Sequence, residues 1–528
     1  MQRRDFVELM LLTGGSAMTA NATPAPAFDV TEKTVAQLQA AMVSGKTTAQ
    51  QLVRLYLARI ASLDKEGPRL NSIIELNPDA LTIASALDAE RKATGTRGPL
   101  HGIPVLLKDN IATADKMQTT AGSLALVGMK PPRDAALVAR LREAGAVILG
   151  KTNLSEWANM RSTRSTSGWS ARGGLTRNPY ALDRNTSGSS SGSGASMAAS
   201  LAALAVGTET DGSITSPASV AALVGIKPTV GLVSRAGIIP IAHSQDTAGP
   251  MARCVADAAV MLTAMAGSDT RDPASELADQ KKLDYTGFLN RDGLKGKRMG
   301  VVRAQLASSS DRVAAVIEAQ LEVLKAQGAT LVDVAEVPNT NKYGDSELTV
   351  LLYELKADMA AYLADYGPGA PIKNLADVIA FNENNRTKEL AFFGQEHFIN
   401  AQAKGGLDSQ EYLDALANNH RYARTEGLDQ VLKAHRLDAL VAPTGGPAWL
   451  TDFINGDAYG ASFTSPAAVA GYPHITVPCG AVQGLPIGLS FVGAAWSEGP
   501  LIAMAYAYEQ ASLQRRPPTY AKTLNTRA

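Results

Sequence analysis

Two separate stretches of this sequence hold a lysine and a serine that could act together as base and nucleophile. Lys108 closes the apolar run "IPVLLK", and Ser213 lies in "TETDGSIT". A lysine at a strand end is usually solvated, but a buried ammonium loses its hydration, its pKa falls, and the neutral amine becomes a base at pH 7. A serine hydroxyl is a weak nucleophile that needs such a base. Around Ser213, a strand end, an acidic pair and a glycine could aim several backbone N–H groups at one point, as in an oxyanion hole.

A third stretch, "TSGSSSGSGAS" at 186–196, is rich in hydroxyl groups and glycine. Its composition is that of a flexible linker. A linker, however, joins self-contained domains, and this stretch enters an alanine-rich helical pattern inside an uninterrupted alternation of strands and helices. A glycine-rich loop at a helix N-terminus offers backbone N–H groups and tight turns. We therefore interpret 186–196 as a loop of the functional site.

Three other motif matches point to different chemistry and lack their structural context. Residues 188–192 match the nucleophile elbow GxSxG, but the preceding "NPYALDRNTS" is polar and no HGGG-type motif occurs. Residues 145–152 match the phosphate loop GxxxxGK[ST], yet the four variable positions are apolar, as in a buried strand. Ser62 and Lys65 match SxxK without the partner motifs SDN and KTG. The sequence has no HExxH motif and no Cys/His ligand cluster, so neither a metal nor another cofactor is predicted.

Composition limits the partners of this chain. It has 528 residues, with 45% hydrophobic and 19% charged side chains, and 50 Lys plus Arg balance 50 Asp plus Glu. A net charge of zero does not favour nucleic acid or an anionic membrane as a partner, and no segment approaches membrane-spanning length. Cys254 and Cys479 lie in apolar surroundings, which favours buried thiols and leaves a disulfide open.

The N-terminus is typical of an export signal. In "MQRRDFVELMLLTGGSAMTANATPAPA", Arg3 and Arg4 precede a short apolar stretch and then small residues. This pattern resembles a twin-arginine signal at 1–27, and the alternative is a frayed helix with a chance arginine pair. We expect cleavage near residue 23 or 28 and a mature protein in the periplasm or outside the cell.

The elements that must position these residues alternate between strand and helix, which predicts an α/β fold. Thr48 and Gln51 form a capping-box pattern at the start of a helix, and 350–430 is predicted to be mostly helical. The predicted strands and strand-rich pieces are "HGIPVLLKDNI", "GAVILGKTN", "ALAVGTETDGS", "GLVSRAGIIPI", "GKRMGVVRA", "GATLVDV", "LDALVAPT" and "HITVPCGAVQGLPIGLSFVG".

Several long motifs, which follow one another in the same order along the chain, resemble those of the amidase signature family. The segments that show this resemblance are "HGIPVLLKDNI", "GAVILGKTNLSEWAN", the stretch from "SGSSSGSGAS" to "AHSQDTAGP", and "AVAGYPHITVPCGAVQGLPIGL". The resemblance extends from about residue 30 to the C-terminus. Within the family, "KTNLSEWANMRS", "SGWSARGGLTRNPY" and "AYAYEQ" are similar to bacterial peptide amidases. The resemblance implies one compact domain at 28–528, with a twisted mixed β-sheet surrounded by helices.

The resemblance also implies a Ser–cis-Ser–Lys triad that hydrolyses carboxamides to acid and ammonia without a cofactor. Ser213 would be the nucleophile, Lys108 the base, and Ser189 the bridging serine after a cis peptide bond. The implied oxyanion-hole and substrate-binding residues are Thr210, Asp211, Gly212 and Ser190.

The sequence departs from the common family pattern near these positions. Ser187 and Ser191 stand at glycine positions, Asp211 replaces a glycine, and Thr215 stands where arginine is frequent. We expect a monomer that acts on the C-terminal amide of small peptides. The alternatives are an amidase of other aliphatic, aromatic or fatty amides, an amidotransferase-like subunit, and a non-catalytic binding protein of the same fold.

Overall fold

A large mixed β-sheet organises the protein. The structure is a computed structural model that describes residues 28–524, so the predicted export signal at 1–27 lies outside the described residues. The strands are β1 (Ile73–Leu76), β2 (Pro104–Lys108), β3 (Val147–Thr152), β4 (Trp169–Ser170), β5 (Gly174–Leu175), β6 (Leu204–Glu209), β7 (Val224–Lys227), β8 (Thr247–Ala252), β9 (Arg298–Val302), β10 (Thr330–Val334), β11 (Ala439–Pro443), β12 (His474–Val482) and β13 (Leu485–Val492).

Within the described residues, 11 strands form one sheet in the order β1-β3-β2-β6-β8-β7-β12-β13-β11-β9-β10, and β4 pairs with β5. β3, β2 and β6 run parallel, β6 to β11 pair antiparallel through β8, β7, β12 and β13, and β11, β9 and β10 run parallel again. The predicted α/β fold with a mixed sheet is confirmed.

Helices surround this sheet. They are α1 (Val35–Val43), α2 (Ala49–Arg59), α3 (Ala80–Thr94), α4 (Ala136–Glu143), α5 (Ser191–Ala198), α6 (Thr215–Val220), α7 (Val255–Met265), α8 (Ala278–Lys281), α9 (Arg303–Ala307), α10 (Asp311–Ala326), α11 (Gly344–Ala364), α12 (Leu375–Asn384), α13 (Arg386–Glu389), α14 (Glu396–Gln402), α15 (Gln410–His420), α16 (Asp429–His435), α17 (Ser465–Ala470) and α18 (Glu498–Ser512). Thr48 caps α2 by accepting from the Gln51 N–H, whereas the complete capping box forms at α1, between Thr34 and Gln37.

The main core lies where the central strands are covered by helices. All residues of β2, β3, β6 and β8 are buried, and α7, α10 and α18 pack on β8 and β12. Strands covered on both faces read as continuous apolar runs, which is why "IPVLLK" and "GAVILGKTN" were recognisable in the sequence. A second apolar cluster joins α11, α12 and α14.

The prediction of strands in "GLVSRAGIIPI" is wrong, because residues 231–241 contain only isolated bridges. The backbone of this segment bonds to loops instead of to a neighbouring strand. Ala112 N–H donates to the Gly237 carbonyl, and Ile239 N–H donates to the Asn110 carbonyl. Its isoleucines are buried. The apolar pattern therefore predicted burial correctly and secondary structure incorrectly.

Both cysteines are free thiols, with Cys479 buried and Cys254 partly exposed. Between residues 28 and 524, no helix combines the length and the apolar character that crossing a bilayer requires.

Candidate active site

Lys108 ends β2 with its side chain fully buried beside the serine-rich loop. Its Nζ lies 2.7 Å from Ser189 Oγ, 2.9 Å from Thr208 Oγ1 and 3.2 Å from the Thr208 carbonyl oxygen. Thr208 belongs to β6, the parallel neighbour of β2, so the pairing of these two strands fixes the position of the amine. The contacts replace the water that the amine loses on burial.

Burial lowers the pKa of Lys108 to about 7, and the charges of Asp246 and Glu209 oppose that shift. Removing an ammonium from water disfavours its charged form, while nearby carboxylates favour it. Because desolvation is the larger effect, a large fraction of the Lys108 amine is neutral at pH 7.

The Ser/Gly stretch is buried, and it is a loop only over 186–190, because α5 already begins at Ser191 and includes 191–196. The peptide bond between Gly188 and Ser189 is cis. Ser155 N–H donates to the Ser189 carbonyl oxygen at 3.1 Å, and a Cβ on Gly188 would overlap Ser155 Oγ. Glycine is therefore required at 188 by the close approach of Ser155.

The additional serines of this loop hold it against its neighbours. Ser187 Oγ lies 2.8 Å from Ser216 Oγ, and Ser191 Oγ donates to the Ser187 carbonyl oxygen at 2.7 Å. Ser193 Oγ donates to the Val206 carbonyl oxygen on β6 at 3.1 Å. The two serines at family glycine positions thus make hydrogen bonds that glycine has no side chain to form.

Ser213 lies in the turn that follows β6, next to the serine-rich loop. Ser190 N–H donates to the Ser213 carbonyl oxygen at 3.1 Å, and Ser213 is 7% exposed. Ser189 precedes Ser190 and bonds to Lys108, so the chain segments that carry Lys108, Ser189 and Ser213 lie next to one another. The Ser190 hydroxyl faces away from solvent, donating to the Thr208 carbonyl oxygen at 3.1 Å and accepting from the Thr208 N–H at 3.2 Å.

Glu209 fixes the conformation of this turn. Its Oε2 accepts from the Ile214 N–H at 2.7 Å and from the Thr215 N–H at 2.9 Å. Gly212 has φ +74°, a left-handed conformation that favours glycine. Among the residues that the structure describes, the N–H groups of residues 211 to 213 donate no hydrogen bond to a backbone carbonyl oxygen. These amides are therefore available to an oxygen of a ligand.

The side chains of Thr210 and Asp211 make hydrogen bonds to different residues. Thr210 Oγ1 donates to Asp246 Oδ1 at 2.6 Å, and Asp211 Oδ2 accepts from Ser465 Oγ at 2.6 Å. Burial raises the pKa of Asp246 to about 6. Sequence reasoning did not identify Thr208, Asp246 or Ser465, because nothing in their local sequence distinguishes them.

One group of possible metal ligands occurs among residues 28–524, and it lacks the three candidate catalytic residues. His243 lies between two carboxylates, with Nδ1 3.0 Å from Asp358 Oδ2 and Nε2 3.4 Å from Glu354 Oε1. Each ring nitrogen thus faces a different carboxylate, which is the arrangement of a hydrogen-bonded histidine and not of convergent metal ligands.

Comparisons with known proteins agree with this geometry. The protein-family model "Amidase" matches residues 51–502. A probable amidase of Arabidopsis thaliana is 42% identical over 503 residues, covering 93% of this chain and 92% of that protein. A glutamyl-tRNA(Gln) amidotransferase subunit from Halorhodospira halophila is 36% identical, covering 91% of this chain and 97% of that one.

The fold is also close to a solved structure. The native peptide amidase of Stenotrophomonas maltophilia is 54% identical, superposes with a TM-score of 0.89, and is covered over 99% of its length by 93% of this chain. The family match spans the buried lysine, the serine-rich loop and the Ser213 turn. This chain belongs to the amidase signature family, and it is an amidase, a hydrolase of amide bonds.

Proposed function

We propose that this amidase hydrolyses carboxamides through Ser213, Ser189 and Lys108, and that its substrates are the C-terminal amides of short peptides. The observation that carries the proposal is the hydrogen bond of 2.7 Å between Lys108 Nζ and Ser189 Oγ, made by a lysine whose pKa is lowered to about 7. A buried neutral amine in contact with a serine hydroxyl is the base that a serine nucleophile needs.

In the first half of the reaction Ser213 Oγ attacks the amide carbon. Its proton passes to Ser189 Oγ as the Ser189 proton passes to Lys108 Nζ. The carbonyl oxygen becomes an oxyanion and is stabilised by the free N–H groups of residues 211 to 213. Collapse of the tetrahedral intermediate breaks the C–N bond, and the proton returns through Ser189 to the leaving nitrogen, so ammonia departs and an acyl-enzyme remains.

In the second half water takes the place of ammonia. Lys108 accepts the water proton through Ser189, and the hydroxide attacks the Ser213 ester. The same N–H groups stabilise the second oxyanion. The Ser213 oxygen then leaves and takes back the proton from Lys108 through Ser189. The products are a carboxylic acid and the free enzyme, so atoms and protons balance without a metal or cofactor.

The peptide-amide substrate is supported by similarity to peptide amidase, at 54% identity. A terminal amide releases ammonia, which needs almost no space beyond the nucleophile, whereas cleavage of an internal peptide bond needs room for a whole chain. Ser190 is more suited to holding the loop than to binding substrate, because its hydroxyl is bonded to Thr208. The amidotransferase relatives at about a third identity are the second candidate, and the substrate panel below separates the two.

The first prediction concerns the nucleophile. Ser213→Ala is expected to lower kcat/KM by a factor on the order of 10⁴ or more while the fold remains, because the hydroxyl is the attacking group. Ser189→Ala and Lys108→Ala each lose orders of magnitude, and combining them adds little, since the three act as a unit. Ammonia release and circular dichroism measure activity and fold. Ser190→Ala is the matched control, and an inactive Ser190→Ala beside an active Ser213→Ala would favour the GxSxG interpretation.

The second prediction concerns Lys108. Only the neutral amine accepts a proton, so kcat/KM should rise with pH through a pKa of about 7 and remain level on the alkaline side. Lys108→Arg should be inactive, because arginine stays protonated. Lys116→Arg, the same substitution at an exposed lysine, is the control. Substantial activity of Lys108→Arg would remove the general-base role.

The third prediction concerns the substrate. Hydrogen bonds between the enzyme and the substrate residues that precede the terminal amide strengthen transition-state binding. Dipeptide and tripeptide amides should therefore have a higher kcat/KM than single amino-acid amides. The assay compares these with a fatty-acid amide, glutamine as an amide donor, and a free-acid peptide, and it measures both ammonia and shortened peptides. Preference for the fatty amide or glutamine, or cleavage within the free-acid peptide, would contradict the substrate assignment and leave the triad standing.

The fourth prediction concerns residues 1–27, and we propose that they direct export by the twin-arginine route. Changing Arg3 and Arg4 to lysine should retain the precursor in the cytoplasm, because that route requires the arginine pair. Cell fractionation and N-terminal sequencing provide the measurement, with a start near residue 23 or 28 expected for exported protein. Exported active enzyme that still begins at Met1 would refute cleavage.

A further inference from the structure

A short segment, residues 241–246, lies between α11 and the turn that follows β6, and we call it the bridging segment. It ends where β8 begins. In the antiparallel pair of β6 and β8, Glu209 lies opposite Thr247, and continuing this register places Thr210 next to Asp246. Thr210 Oγ1 donates to Asp246 Oδ1 at 2.6 Å. The bridging segment is therefore bonded directly to the turn that carries the proposed nucleophile.

One face of α11 holds the other side of the bridging segment. Three acidic residues of this helix are spaced by seven and then four positions, which places them on the same face. Consecutive residues of the bridging segment donate to these acids in antiparallel order: Gln245 Nε2 to Glu347 Oε1 at 2.9 Å, Ser244 N–H to Glu354 Oε2 at 2.9 Å, and His243 N–H to Asp358 Oδ2 at 2.8 Å.

His243 also contacts two of these acids with its side chain. Its Nδ1 lies 3.0 Å from Asp358 Oδ1, and its Nε2 lies 3.4 Å from Glu354 Oε1. Among residues 28–524, His243 is the only basic side chain within ion-pair distance of Glu354, whose carboxyl group is fully buried. The hydrogen bond to Asp358 raises the pKa of His243. The imidazole thus fastens the bridging segment to two positions one helical turn apart.

The bridging segment in turn orients the carboxylate of Asp246. Asp246 Oδ2 accepts from the N–H groups of Ile241 at 2.8 Å and Ala242 at 3.0 Å, the two residues before His243. With Oδ2 fixed by these amides, Oδ1 is directed at Thr210. Because the two amides directly precede His243, a contact that holds the histidine in place also holds this carboxylate in place.

A cavity of about 450 Å³ borders this arrangement, and His243, Asp246, Asp358 and Arg235 are among the residues that line it. Arg235 Nη1 donates to the His243 carbonyl oxygen. The cavity leaves the His243 side chain 43% exposed, so a substitution there does not overpack the core. The other charged groups of the cavity form ion pairs: Arg133 with Asp365, Arg235 with Asp272, and Arg271 with Asp269.

Resting on the proposed function, we propose that His243 is a positioning residue of the amidase reaction. It anchors the bridging segment to α11, and the segment holds Asp246 against Thr210. The N–H groups that directly follow Thr210 are those that would stabilise the oxyanion, and such donors are effective only when they are held in place beforehand. The charge of Asp246 also raises the pKa of Lys108. His243 therefore acts through Asp246 on both the turn and the base.

The test begins with His243→Leu, which removes both side-chain contacts. We expect kcat to fall about tenfold with little change in KM, because the oxyanion N–H groups act in the transition state. The midpoint of the rise of kcat/KM with pH should move to lower pH by about 0.5 unit, because the displaced Asp246 charge no longer raises the pKa of Lys108. Loss of the imidazolium charge alone would move the midpoint to higher pH, so the direction separates the two effects.

Two further substitutions guard against misfolding of the first. In His243→Asn, the amide Nδ2 takes the place of the histidine Nδ1, so the donor to Asp358 remains while the charge is lost, and kcat and the midpoint should stay near those of the unchanged enzyme. Asp358→Ala removes the acceptor from the helix side and should reproduce His243→Leu. Asp365→Ala is the matched control, because this exposed carboxylate borders the same cavity and pairs with Arg133. It should change neither quantity.

A double substitution tests whether His243 acts through Asp246. Asp246→Asn should lower the midpoint by itself, and adding His243→Leu should lower it no further. Ammonia release from a dipeptide amide between about pH 5 and 9 provides the profiles.

Four results would overturn the proposal: no change in His243→Leu, a midpoint that moves to higher pH, equal losses in His243→Leu and His243→Asn, or equal losses in Asp358→Ala and Asp365→Ala. If kcat/KM of the unchanged enzyme does not rise with pH, the proposed base is wrong. In that case the loss of kcat in His243→Leu and its rescue by asparagine still decide the role of His243.

Discussion

Desolvation of the Lys108 ammonium is the constraint on which the site depends. A lysine side chain at the end of a fully buried strand keeps its neutral form at pH 7 only while water is excluded. Two other strands of the sheet repeat the arrangement, because Lys151 on β3 and Lys227 on β7 are also buried, and burial lowers the pKa of each to about 8. Covering both faces of the central sheet therefore does more than stabilise the fold, since it also sets the protonation state of the base.

Carboxylates at the same end of the sheet limit how far burial lowers the pKa of Lys108. Glu209 and Asp246 raise the pKa of Lys108, and each also has a separate structural task. Glu209 binds the amides of residues 214 and 215, which leaves the amides of 211 to 213 free for an oxyanion. Asp246 binds Thr210 and the amides of Ile241 and Ala242. The same acidic groups thus tune the base and shape the turn that carries the nucleophile.

The central sheet and the helical segment that begins with α11 meet beside the turn that carries Ser213. Gln245 Nε2 donates to the Thr210 carbonyl oxygen at 3.4 Å and to Glu347 Oε1 on α11 at 2.9 Å. That segment has its own apolar cluster with α12 and α14. Substitutions in it can alter the surroundings of that turn without disturbing the strands that hold Lys108.

The sequence by itself determined the α/β class, the buried strands that end at Lys108 and Glu209, and the family whose motif names Ser213, Ser189 and Lys108. These features could be predicted because apolar runs and motif spacing are local properties of the chain. Only the tertiary structure decided which distant residues complete the site: Thr208 beside the Lys108 amine, Asp246 bound to Thr210, and Ser465 bound to Asp211. It also decided that 231–241 bonds to loops and forms no strand. The physical reason is that the pKa of a side chain, or the availability of a backbone amide, depends on what packs against it. Residues that are far apart in the chain leave no mark of that packing in their local sequence.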